Sequence, residues 1–297
     1  MARIARKIVD RIYPPAHLAF YLQRLVLNPS SRKKIANFLA SKLPKSASPS
    51  FTAEQLRIVR ELQSNGFSHL PDLVTVRQRE EISAFLNDKL CYDRWRPENG
   101  AFPISEAPPS CHVAPYHDAD VVECPHFLEI VNHPDILGAM EKLLGCKPTL
   151  SNLSVWWSLP GHGEPEEAEL FHRDVDEWHF VKLFVYLTDV DASSGPHVFV
   201  KGSPAIPKLL PIKRYQDSEV ERDFGAENII QFTGKAGTAF LENTFGLHKG
   251  QLPKTNPRLL LQAQYSLFPV GIYKYSPRPV PAGARRLDPY VNRLYRH

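Results

Sequence analysis

The second half of the chain carries six short runs rich in β-branched and aromatic residues: Leu153–Leu159, Val181–Leu187, Val198–Val200, Ile229–Phe232, Thr238–Glu242 and Leu259–Leu267. Runs of this length and composition are strands. Turn-forming clusters such as Ser194-Gly195-Pro196 and Gly234-Lys235-Ala236-Gly237 separate them. The first half is patterned differently. Thr52 stands as a helix cap with Gln55 in capping-box position, ahead of an apolar face of Leu56, Val59 and Leu62, and Gly66 closes the helix. A short extended piece from Phe67 to Leu73, a mixed-charge surface helix from about Val76 to Leu90, and a helix from Ile136 to Leu144 ended by Gly145 follow. Residues 91–125, rich in Pro, His and Cys, read as irregular. Helices first and many short strands afterwards predict an α+β, mainly β chain, a sandwich or barrel with helices packed outside.

Residues 1–50 read as a basic helical N-terminal extension and residues 51–297 as the main domain. Ile4, Ile8, Ile12 and then Leu18, Tyr21, Leu25 recur at helical spacing, broken by Pro14-Pro15, and residues 45–51 read as a linker. The extension holds ten Lys or Arg against one acid, Asp10, so the chain's net charge of +4 belongs to it. A basic helical segment of this kind is most commonly a solvated helix packed on the body or at a dimer interface, and it also suits a membrane surface or self-association, as monomer or homodimer. Its aromatics do not interleave as single-strand nucleic-acid binding requires, so no nucleic acid is expected. The four cysteines (Cys91, Cys111, Cys124, Cys146) form no CxxC pair. No apolar run approaches the roughly 18 residues that cross a bilayer, and no signal peptide precedes the cysteines, so reduced thiols and a cytoplasmic location are expected. A chain of 297 residues buries enough surface to fold without staples, so any metal is functional rather than structural.

Such a metal has candidate ligands. In Phe171-His172-Arg173-Asp174, just before a strand, extended backbone puts His172 and Asp174 on one side because the period is two. His248 follows much later, just after the run Thr238–Glu242. Two imidazoles and one carboxylate occupy one face of an octahedral metal and leave three positions open, which is the ligand set of non-haem Fe(II) oxygenases. A lone His-x-Asp is common by chance. Arg258, opening the apolar strand beyond His248, sharpens the reading, because a guanidinium there can pair with the distal carboxylate of 2-oxoglutarate. Its face continues as Leu260, Gln262, Gln264 and Ser266. The plain alternative is an edge Arg in solvent.

The segment from His172 through Val181–Val190, Asp191-Ala192-Ser193-Ser194-Gly195-Pro196 and Val200-Lys201-Gly202-Ser203 resembles the phytanoyl-CoA dioxygenase family. The likeness runs over roughly residues 55–268 and is densest from 150 to 268. It implies a double-stranded β-helix (a cupin-like jelly roll) using Fe(II), 2-oxoglutarate and O2, with His172, Asp174 and His248 as ligands and Arg258 as the 2-oxoglutarate clamp. The activity it implies is hydroxylation of an unactivated C–H of a small molecule, with release of CO2 and succinate. Halogenating relatives carry Gly or Ala where this chain has Asp174, so a hydroxylase rather than a halogenase is expected, with desaturation or ring formation as other oxidative outcomes. Trp178 matches a Trp near the active site of the related ectoine hydroxylases and is either a pocket wall or a core aromatic. Ser154, Trp156 and Ser158 share a strand face and are candidates near the co-substrate. His117 and Tyr116, in a segment the family uses as a lid, are candidates for substrate contact. Where the family has Gly-Ser-His, this chain has Gly202-Ser203-Pro204, which puts that loop's geometry in question.

Other readings remain. Cys111, His112, His117, Cys124 and His126 crowd one segment, but their spacing fits no structural zinc pattern. No GxSxG, HExxH or Walker sequence is present, and Gly161-His162-Gly163 is followed by acids that would repel phosphate. The rivals to a 2-oxoglutarate-dependent dioxygenase are a cupin-type metal enzyme that does not use 2-oxoglutarate and a non-catalytic jelly-roll binding module.

Overall fold

A computed structural model of the chain describes residues 13–47, 49–161, 163–279 and 287–297. Eight α-helices lie among these residues: α1 (Tyr13–Gln23), α2 (Pro29–Ala40), α3 (Ala53–Ser64), α4 (Val76–Asn87), α5 (Asp118–Glu123), α6 (Phe127–Val131), α7 (Pro134–Leu144) and α8 (Asp217–Phe224). The strands are β1 (Phe67–His69), β2 (Cys91–Tyr92), β3 (Ala101–Phe102), β4 (Val113–Pro115), β5 (Thr149–Ser158), β6 (Phe180–Tyr186), β7 (His197–Val200), β8 (Ile229–Phe232), β9 (Ala239–Glu242), β10 (His248–Gly250) and β11 (Arg258–Ser266). They form a six-stranded sheet in the order β1-β9-β6-β11-β5-β4, a three-stranded sheet β10-β7-β8 and the short pair β2-β3. Every ladder is antiparallel.

Alternation decides which way the large sheet faces. Along β11, Leu259, Leu261 and Ala263 bury against the helices, together with Ile58 and Leu62 of α3 and Met140 of α7. Leu260 points the other way, into a cluster with Phe184, Phe240, Phe199 and Phe232. That cluster belongs to both sheets, so the sheets pack face to face. Phe232 of β8 stacks on Phe240 of β9 with centroids 4.2 Å apart and planes within 10°. The ladder of aromatics closes one end of the space between the sheets.

The helices end where local chemistry says they should. Thr52–Gln55 and Thr75–Gln78 each form a complete capping box, and Gly145 takes the left-handed cap of α7. Pro14-Pro15 stands at a helix start, and whether it interrupts a longer helical pattern lies outside the described residues. The pair lies in the first turn of α1, where missing N–H groups cost nothing. The Ile4–Ile12 part of that pattern lies outside the described residues. The segment expected to be irregular supplies β4, which pairs with β5 at the edge of the large sheet. Pro115 fits there because an edge strand tolerates a residue without an N–H.

The basic N-terminal helices are docked on the body. Arg32 is buried and donates to the carbonyls of Gln23, Val26 and Glu177 and to Gln23 Oε1, with its guanidinium against the rings of Trp178 and Phe245. Gln23 and Arg24 both donate to the carbonyl of Val175. Residues 175–178 are thereby tied to α1 and α2.

Candidate metal centre

His172 and His248 are brought together by backbone. Each donates its N–H to the other's carbonyl, at 2.9 and 3.0 Å, and Asp174 donates its N–H to Thr244 at 2.9 Å. Directly opposed residues of an antiparallel bridge share a side, so the two imidazoles meet with centroids 4.3 Å apart. The period of two carries Asp174 to that same side. Asp174 Oδ1 lies 3.5 Å from His172 Nε2, and Oδ2 lies 3.3 Å from His248 Nε2. One ligand atom from each of the three falls within 4.8 Å of the others.

The tautomers are set by the next shell. His172 Nδ1 donates to Leu170 O at 2.9 Å and His248 Nδ1 to Gly246 O at 3.0 Å. With Nδ1 carrying the proton, each Nε2 presents its lone pair toward Asp174. Burial lowers the pKa of His248, which favours the neutral ring a metal needs.

Three polar side chains back this arrangement that the sequence reading did not single out. Lys182 of β6 places Nζ 2.6 Å from Asp174 Oδ2 and 3.1 Å from Asp176 Oδ2. Burial alone would push the Asp174 carboxyl up, but the charge of Lys182 holds it well below the ordinary carboxylate range. Asp176, also buried, moves up instead. Glu242 of β9 meets His197 of β7, Oε1 to Nε2 at 3.0 Å, and His197 stacks on His248 at 5.5 Å. Burial pushes Glu242 up to about 8 and His197 well below its usual value, so the pair is neutral, with the proton on the carboxyl. The sequence did hold a signal for Lys182: a lysine inside the apolar run Phe180–Tyr186 needs a buried partner.

Arg258 opens onto the same space. It is 2% exposed. Its guanidinium donates to Gly195 O and, at 3.0 Å, to Ser158 Oγ, its register partner on β5. No carboxylate bonds to it among the described residues, and its buried Nε has no partner. Gly195 is required there. It adopts φ +64°, and a Cβ would sit 2.2 Å from Gln251 O.

The triad, Arg258, Ser158, Ser154, Trp156 and Lys182 all line one cavity of about 860 Å³. That is room for a co-substrate and a second small molecule. The remaining candidates divide. Tyr116 reaches the wall, although its hydroxyl accepts from Trp157 Nε1 at 2.9 Å. His117 is exposed, stacks on Tyr92, and is not among the lining residues. Trp178 is not among them either. It packs on Arg32 and the helix-side core. Of the crowded Cys/His segment, His112 is buried against Glu169 at 3.0 Å, and burial raises the Cys111 thiol to about 12. Among the described residues, only His172, Asp174 and His248 gather as a metal-binding group of three. No described helix is long and apolar enough to cross a membrane.

No protein-family model and no curated protein sequence matches the chain. Solved structures do match in fold. EctD from S. alaskensis, solved with 2-oxoglutarate and 5-hydroxyectoine, is 17% identical over 86% of this chain and 95% of its own, with a TM-score of 0.53. SnoK, a non-heme alpha ketoglutarate dependent carbocyclase from nogalamycin biosynthesis, is 16% identical over 73% of this chain and 86% of its own, at 0.53. HygX from Streptomyces hygroscopicus, solved with nickel, 2-oxoglutarate and hygromycin B, is 17% identical over 77% and 91%, at 0.52. At these identities the likeness establishes a shared, mainly antiparallel β architecture with helices outside it.

Proposed function

We propose that the chain is an Fe(II)- and 2-oxoglutarate-dependent oxygenase that hydroxylates a C–H bond of a small molecule. The observation that carries this is a pairing within one cavity. A His-Asp-His set with both Nε2 lone pairs turned to the carboxylate stands beside a buried arginine that has no carboxylate of its own. A buried, uncompensated guanidinium is costly unless a ligand supplies the anion. A dicarboxylate meets that need with one end while its other end reaches the metal. The motifs around His172 and Gly195-Pro196 support placing the chain in the phytanoyl-CoA dioxygenase family, and the two facing sheets support reading the core as a double-stranded β-helix.

His172, Asp174 and His248 would hold iron, and Arg258 with Ser158 would orient 2-oxoglutarate. Bound iron supplies activation of O2 coupled to oxidative decarboxylation of the co-substrate. The protein's own contribution is positional. Leu170 O and Gly246 O fix the imidazoles, Lys182 keeps Asp174 ionised, and the aromatic cluster between the sheets keeps water from one side of the site. A carboxylate at 174 supports hydroxylation over halogenation, because a halide needs the position that carboxylate fills.

The test is O2-dependent formation of succinate from 2-oxoglutarate by the Fe(II)-loaded protein, together with an anaerobic Fe(II) titration. Asp174→Ala should abolish succinate formation and weaken Fe(II) binding by more than about 100-fold, since loss of even an outer-shell group costs 10- to 100-fold. Wild-type succinate formation by Asp174→Ala would overturn the ligand assignment. Fe(II) binding with no effect of 2-oxoglutarate would favour a cupin-type enzyme.

A further inference from the structure

Residues 13–47 contain six Lys or Arg and no Asp or Glu. Arg32 is buried and Arg24 is committed to Val175 O, while Lys33, Lys34, Lys42 and Lys45 are exposed. Among the described residues, the same helices leave a large apolar surface uncovered. Leu18, Tyr21 and Leu22 of α1 and Leu25 just past it recur at helical spacing and are 52–78% exposed. Their opposite face, through Phe20 and Gln23, is the one that docks on the body. On α2, Phe38 is exposed beneath the ammonium of Lys42. Scattered exposed apolar side chains are ordinary; a stripe of four on a docked helix is not.

We propose that α1 and α2 form an interfacial docking surface for an anionic lipid bilayer. The leucines and Tyr21 enter the headgroup boundary and the lysines meet lipid phosphates. The charge selects this occupant. A symmetric contact with a second copy would set the same acid-free patch against itself, opposing lysine to lysine. An aliphatic stripe offers nothing to nucleic-acid bases. The helix lies on the membrane rather than across it, since its 11 residues extend only about 16 Å against a hydrocarbon core of about 30 Å. The surface is continuous with the site, because Gln23, Arg24 and Arg32 hold residues 175–177, the segment directly after Asp174.

The experiment is flotation of the full-length protein with phosphatidylcholine vesicles, with and without a minority of phosphatidylglycerol. Flotation should require phosphatidylglycerol and fall with salt. Leu22→Ser with Leu25→Ser should abolish it. Lys33→Gln, Lys34→Gln and Lys42→Gln together should lower the partition coefficient on the order of 100-fold, at about fivefold per lysine. All these side chains are exposed, so circular dichroism and Fe(II) binding should match wild type. Failure of the wild type to float at low salt overturns the proposal, as does flotation indifferent to both sets of substitutions. So does concentration-dependent dimerisation by light scattering that Leu25→Ser removes, which would make the stripe a contact between copies.

Discussion

Replacing Arg258 with Met separates a ligand-binding role from a structural one. In the free protein the guanidinium gives up water for neutral partners, Gly195 O, Ser158 Oγ and the Tyr186 hydroxyl, and leaves Nε unpaired. Burial lowers its pKa, so the fold does not favour this cation. Removing it strands these acceptors, at about 1–3 kcal/mol each, and relieves a buried charge of comparable total cost. The unfolding free energy should therefore change by less than about 1 kcal/mol or rise. Co-substrate binding should behave oppositely. Two hydrogen bonds from a charged donor to a carboxylate are worth about 3–5 kcal/mol together, a loss of roughly 150- to 5000-fold in affinity. Calorimetric titration of 2-oxoglutarate into the anaerobic Fe(II) protein, beside denaturant unfolding of the metal-free form, reads both. Arg258→Lys should fall between, keeping the charge but losing the planar fork. A folded Arg258→Met variant that binds 2-oxoglutarate within threefold of wild type would refute the clamp. A loss of several kcal/mol in the metal-free protein would show the arginine to be structural.

Lys182→Met leaves Asp174 and Asp176 buried without their cation, so the metal-free protein should lose about 3–5 kcal/mol. Fe(II) should restore most of that loss, and a melting shift equal with and without metal would contradict the pairing. Glu177 is pushed by burial from 4.5 to about 7, so its stabilising protonated form is complete below pH 4.5 and lost as pH rises through about 7. Glu177→Gln should thus gain roughly 3 kcal/mol over wild type at pH 8 but little at pH 4.5, and a pH-independent difference in urea unfolding would count against it. Gly195→Ala forces a Cβ against Gln251 O at positive φ and displaces the carbonyl that holds Arg258. It should weaken 2-oxoglutarate binding at least 10-fold while leaving Fe(II) affinity unchanged, measured by the same titration.

The strands of the second half were legible because their pattern is set by burial on both faces. β6 is apolar but for Lys182, β11 is buried almost throughout, and their ends fall within a residue or two of the sequence reading. β4 was not legible. Three residues ending in a proline carry no periodic signal, and only pairing with β5 makes them a strand. The triad was readable as residue types at a spacing, yet what joins His172 to His248 is a backbone bridge between distant segments, which no local pattern encodes. Trp178 follows the core-aromatic alternative. Four residues from Asp174 in sequence, it turns toward Arg32 because a guanidinium and the helix-side core compete for its ring. His197 and Glu242 were invisible for a related reason: each sits in an ordinary strand, and their significance arises only when β7 and β9 are brought across the gap between the sheets.

These differences follow from how the two sides of the cavity are built. The metal side is fixed by main-chain bonds: the His172–His248 bridge, Asp174 to Thr244, and the two Nδ1 contacts to carbonyls two residues back. Arg258 is likewise held by β11 and β5 in register. Geometry anchored this way tolerates wide change in the surrounding sequence, which accounts for a shared architecture at 16–17% identity. The far wall is different. Arg94, Trp95, Tyr273 and Lys274 come from segments outside the large sheet, and no strand register constrains them. Loops change without cost to the sheets, so this wall is freer to change than the side that carries the triad. Under the proposed function, the reaction chemistry would be written into this chain's strands and substrate choice into the loops of the far wall.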